Sequence, residues 1–149
     1  MWVVMKGFIL LVLLFSSLAF AREVVIDPYS LGREESLKKE VDGCKDRYKG
    51  QHFSKNFECQ DAVREKFEAE MPKRGSAEYA AQHYGGLTKE QGEAKIKELQ
   101  AMQQKAREYV RWDDLQPGEV VAEDFLAEKW WIMEHVLGLD PQRTYIRYN

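Results

Sequence analysis

Past residue 21 the chain has no apolar run near the roughly 20 residues that a membrane-spanning helix needs, so no stable span is expected in its body. It lacks a basic surplus as well. Its 22 Lys and Arg face 25 Asp and Glu, which removes the electrostatic case for nucleic acid as a partner. Cysteine is scarce, with two residues that are not spaced CxxC, and this argues against a redox pair or half of a zinc site. No GxSxG or SxxK string presents a nucleophile, and no EF-hand loop presents calcium ligands. No segment repeats another or falls into low complexity. The three histidines, His52, His83 and His135, lie in separate segments, and no two have metal-ligand spacing. These absences leave no cofactor, no metal and no catalytic residue to name from sequence.

The N-terminus, by contrast, is rich in apolar residues. Lys6 precedes the run from Gly7 to Phe15, and the segment closes on Ala19-Phe20-Ala21, the small-x-small pattern that signal peptidases cut. The run is too short to span a bilayer, so residues 1–21 are expected to be a cleaved signal peptide, and the protein to be exported to a periplasm or secreted. An uncleaved anchor is the alternative reading. No cysteine follows the cut, which argues against a lipoprotein. Cleavage leaves residues 22–149, a length that suits a single helical domain, and the loss of Lys6 takes the net charge from −3 to −4. That weak acidity also lowers the case for a membrane surface as partner.

Export makes pairing the first reading of Cys44 and Cys59. They stand at nearly equal distances from the turn Lys49-Gly50-Gln51-His52, where antiparallel helices would bring them face to face. Leu37, Val41, Cys44 and Tyr48 recur at helical steps between about Arg33 and Lys49. Cys59, Val63 and Phe67 do so from a cap at Ser54 to about Met71. Ser76 is expected to cap a short helix through Tyr84. Thr88-Lys-Glu-Gln91 matches a capping box, opening a helix to about Trp112 whose stripe is Ile96, Leu99, Met102, Ala106 and Tyr109 or Val110. Glu93 and Lys97 form an expected surface pair on it. A last helix is expected from near Glu119 to Leu137, with Glu119, Glu123 and Asp124 at its positive end and Gly138 beyond it. Val120-Val121 also suits a short strand, and Arg22 to Asp27 reads as a strand or an extended arm closed by Pro28. The fold class is therefore all-α: a small bundle of four to five helices with a disulfide-linked N-terminal helical hairpin and irregular termini. The string Leu87-Thr88-Lys-Glu-Gln91 also resembles the LTxxQ motif of small helical periplasmic chaperones of the envelope-stress type. That resemblance covers five residues in one copy and implies no binding residues.

Adjacent tryptophans on a helix diverge by about 100°, so Trp130 and Trp131 both enter one core only where the helix is buried over a wide arc. Either one left at the surface near Tyr145 and Tyr148 would be a partner-binding anchor, because aromatic residues dominate interface energetics. Asp113, Asp114, Glu119, Glu123 and Asp124 cluster around Pro117-Gly118 and read first as surface and capping acids. The expected activity is that of a non-enzymatic protein-binding module whose partner is another protein: an envelope accessory factor, an inhibitor or immunity protein, or a chaperone-like protein. The alternatives are a small secreted hydrolase built from two or more of Glu123, Asp124, Glu128, His83 and His135, or a secreted effector.

Overall fold

Asp27 and Pro28 start the first helix. The Asp27 carboxylate accepts from the amide and the hydroxyl of Ser30, both at 2.9 Å, and Pro28 takes the first helical position, where its missing N–H costs nothing. Helix α1, Pro28–Arg47, therefore begins five residues before the apolar spacing suggests, and Pro28 opens it instead of closing the arm. The computed structural model describes residues 22–108 and 110–144, so the expected signal peptide, Tyr109, Tyr145 and Tyr148 lie outside the described residues. The other elements are α2 Phe53–Glu70, α3 Ala77–Tyr84, α4 Lys89–Lys105, α5 Ala122–His135 and the single turn α6 Pro141–Thr144. One two-stranded antiparallel sheet joins β1, Val25–Ile26, to β2, Glu119–Val120, with Val25 opposite Val120. The class is all-α. Among the described residues no helix is long and apolar enough to cross a membrane.

Local chemistry sets the remaining boundaries. Gly50, with φ of 77°, turns the chain between α1 and α2, and His52 rather than Ser54 caps α2 through its ring nitrogen. Ser76 caps α3, and Thr88 with Gln91 forms the reciprocal box that opens α4. Helix α4 stops at Lys105, seven residues short of the expected Trp112. Ala106 turns extended there and bridges to Glu23, whose amide donates to the Lys105 carbonyl at 2.7 Å. The surface pair on α4 is Lys95–Glu98 at 2.8 Å, in place of Glu93–Lys97. Glu119 belongs to β2 and not to the last helix, which opens at Ala122 with Asp124 accepting from the Val121 amide at 3.1 Å. Gly138, with φ of 64°, closes the far end of α5, and Asp140 then caps α6.

The core belongs to α3, α4 and α5. Tyr79, Ala80, Tyr84, Ile96, Leu99, Phe125, Ile132 and Met133 form one buried cluster, with Ala106, Val120 and Ala122 at its edge. Gly92 sits where α4 meets α5, and a Cβ there would lie 2.8 Å from Val136, so the glycine permits the close approach of the two helices. The α1–α2 hairpin stands outside this cluster. It is closed by the Cys44–Cys59 disulfide, whose Cα atoms are 5.8 Å apart, a link worth about 3 kcal/mol from restriction of the unfolded chain. Of the eighteen residues of α2, only Gln60 and Phe67 are buried.

The hairpin is fastened at its base. Tyr29 donates to the Pro72 carbonyl at 2.8 Å, Arg33 to the Met71 carbonyl, and the Gly118 amide to Glu34 at 2.9 Å. Gly118 has φ of 73°, and a Cβ there would lie 2.6 Å from Leu31 Cβ and 2.8 Å from Leu31 Cα. Replacing Gly118 with Ala should lower unfolding stability by about 2 to 4 kcal/mol, combining the left-handed backbone with overpacking against α1. Chemical denaturation of the oxidised protein measures it, and a loss under 1 kcal/mol would contradict the contact.

Candidate functional site

The most constrained group of polar side chains lies where the hairpin meets α5. Arg74, in the turn after α2, donates to both carboxylate oxygens of Glu128 at 3.0 and 3.3 Å and to Asp27 at 3.3 Å. The Tyr84 hydroxyl donates to the same Glu128 at 2.6 Å. The guanidinium carbon lies 5.0 Å from the Phe125 ring centre and 5.4 Å from that of Tyr79, which covers it with aromatic faces. Glu128 is fully buried. Burial, then the bond to Glu128, pushes the Tyr84 phenol far above its ordinary value, so it stays a protonated donor. Burial pulls the Arg74 value down, but the bonded Glu128 outweighs it and the net shift is upward. The group is a saturated clamp, with each carboxylate oxygen of Glu128 already engaged.

A second buried carboxylate, Glu119, is held bidentately by Arg107 at 2.7 Å for each bond. The Arg107 contact, against the opposing pull of burial, holds the Glu119 carboxyl below the usual range, so the stability it contributes is present at neutral pH and lost as acid protonates it. Lys129 is also buried, and its ammonium donates to Gln103 at 3.2 Å. Burial lowers its pKa. The folded state therefore carries a cost for charging this lysine at neutral pH, and that cost fades as pH rises towards the value of a free lysine.

The residues proposed as an acid–base set are spoken for individually. Glu128 sits in the Arg74 clamp, and Asp124 receives the Val121 amide while burial raises its pKa. His83 stacks on Tyr79 with ring centres 3.9 Å apart and bonds the Tyr79 carbonyl at 2.9 Å. His135 stacks on Trp131 at 4.4 Å and bonds its carbonyl at 3.1 Å. A cavity of about 680 Å³ opens at the hairpin base between α1, α2 and the start of α3, lined by Arg33, Leu37, Arg64, Glu68, Pro72 and Lys73 among others. Neither these four residues nor Glu123, the fifth member of the set, lines it. Of the acidic cluster, Asp113 pairs with Arg111 and Glu119 with Arg107. No group of three or more metal-ligating side chains converges among the described residues.

The aromatic candidates divide. Trp131 is half-buried against the core, whereas Trp130 is 39 % exposed. Adjacent positions on α5 thus differ in burial, as a separation of about 100° allows. No family model, characterised protein or solved structure matches the chain. Sequence reasoning missed three further aromatic residues. Trp112 is 85 % exposed in the loop before β2, and Phe53 and Phe57 are 66 % and 54 % exposed on α2. Trp112 was assigned to the end of a helix, which hid its loop position. Phe53 and Phe57 could have been found, because they lie four apart, one helical turn from each other, in the first turns of α2.

Two substitutions separate the roles of the buried charges. Glu128→Gln should cost about 3 kcal/mol, because it leaves the partly buried Arg74 with Asp27 as its sole acid, and thermal or urea unfolding of the variant reads this directly. Lys129→Met should instead raise stability by about 1 kcal/mol at pH 7, with the gain shrinking towards pH 10. A destabilised Lys129→Met protein at neutral pH would show that the Gln103 bond outweighs desolvation.

Proposed function

We propose that this protein is exported after cleavage behind Ala21 and acts as a non-enzymatic binding module for another protein. The observation that carries the reading is Trp112: a large aromatic side chain 85 % exposed, held on a loop between Arg107, anchored to Glu119, and β2. Exposing so much apolar surface on a structured loop is unfavourable in isolation, and tryptophan is the side chain most enriched among interface hot spots. Arg107 ties the start of this loop to Glu119 at its end and to the Asp114 carbonyl within it, which reduces the conformational entropy lost when it docks. Trp130 offers a second exposed ring on α5.

Two further observations support the reading. The Cys44–Cys59 disulfide is the covalent form expected in an oxidising compartment. The buried carboxylates are engaged in packing contacts with Arg74 and Arg107, which suits a scaffold more than a hydrolase. An accessory factor, an inhibitor or immunity protein, and a chaperone-like protein all share this mode of action.

The test places a photo-crosslinking phenylalanine analogue at position 112 in the producing cells and again at the exposed Glu98 on α4 as a control. A discrete protein adduct is expected at 112 and not at 98, on a chain whose mass begins at Arg22. Trp112→Ala should cut recovery of that partner by about thirtyfold, the scale of a hot-spot truncation. Equal adducts at both positions, or full recovery by Trp112→Ala, would sink the reading.

A further inference from the structure

The tip of the α1–α2 hairpin is built unlike the rest of the chain. From Arg47 to Phe57 there are three cations, Arg47, Lys49 and Lys55, with His52 among them and no acid. All three cations are exposed, and none has an ion-pair partner among the described residues. Asp46 and Glu58 flank the stretch, while Lys45 next to it is already paired with Asp42 at 3.1 Å. The chain as a whole is acidic, so this tip is a local inversion of charge.

The same tip carries exposed apolar rings. Phe53 and Phe57 lie one turn apart and meet edge to face at 5.7 Å, and His52 stacks on Phe53 at 4.9 Å. They pack on one another and not on the core cluster. The bonds fastening the hairpin involve Tyr29, Arg33, Glu34 and Ala69 to Pro72 at its base. From Arg33 to Arg47 helix α1 advances about 21 Å, so the tip stands well clear of those anchors. The Cys44–Cys59 link, close behind the tip, holds the two helix ends together as one rigid point.

We infer that this tip docks on an anionic lipid surface, with Phe53 and Phe57 entering the headgroup boundary and Arg47, Lys49 and Lys55 lying against lipid phosphates. Charge complementarity selects the occupant. Unpaired cations around apolar rings fit a layer of anionic headgroups over acyl chains, and the acidic remainder of the chain turns the tip towards that layer first. A single small apolar contact gives weak, reversible binding, to which each cation near the surface adds about fivefold. The site is separate from Trp112 and does not depend on the protein partner proposed above.

Co-sedimentation with vesicles tests it, using the oxidised chain from Arg22 onward, which contains every described element. Binding to phosphatidylcholine vesicles containing one third phosphatidylglycerol should exceed binding to pure phosphatidylcholine by at least about tenfold at low ionic strength and weaken with salt. Lys49→Glu with Lys55→Glu should abolish the preference, and Phe53→Ser with Phe57→Ser should lower binding about tenfold. Helical circular dichroism of both double variants should be unchanged, since the tip lies outside the core cluster. Trp112→Ala should bind vesicles as the parent does, which keeps this outcome distinguishable from the failure of the protein-binding reading. Equal binding to both vesicle types, or full binding by either tip variant, would overturn the inference. A tip that crosslinks to an acidic protein while the chain ignores vesicles would overturn it too, and would assign the surface to that protein.

Discussion

The largely enclosed guanidinium of Arg74 is the constraint on which the arrangement depends. It joins Asp27, the cap of α1, to Glu128, in the middle of α5, and it does so beneath the rings of Tyr79 and Phe125. A cation in that position is tolerable only with two acids beside it, and a fully buried Glu128 is tolerable only with Arg74 and the Tyr84 hydroxyl. One side chain therefore fixes where the hairpin leaves the core. It also explains why the N-terminal arm, the turn after α2 and three separate helices converge at one point.

The protein is assembled on two different principles. Around α3, α4 and α5, order comes from apolar packing between helices close enough to require Gly92. The hairpin has little of this. Only Cys44, Gln60 and Phe67 are buried within it, and a covalent link substitutes for packing over most of its length. A stapled arm can carry exposed aromatic and basic residues at its end without weakening the core that supports it, which is the physical basis for treating tip and body as separate surfaces.

Much of this was legible in the sequence wherever local chemistry decides. The box of Thr88 and Gln91 and the cap at Ser76 act over three residues and the cysteine pair closes over fifteen around Gly50, and each appears where the pattern put it. Boundaries set by long-range contacts were hidden. Nothing near Ala106 announces that α4 must stop there; the cause is Glu23, more than eighty residues away. Likewise the early start of α1 is reinforced by Arg74 on Asp27, and Glu119 reads as a helix-end acid until Arg107 is seen to hold it. The candidate surfaces followed the same rule. Trp130 was visible as one half of a pair, whereas Trp112 emerged only once its helix was found to end early.

The pairing of β1 with β2 also bears on the order in which the chain acquires its shape. Synthesis delivers Val25 long before Val120, and the hairpin closes on contacts fifteen residues apart while its anchors to Gly118 and Glu128 do not yet exist. The arm is thus the first part able to form and the last to be fastened. During that interval Glu34 has no Gly118 amide and Arg74 no Glu128, so the disulfide is the long-range tie that the arm can form from its own residues.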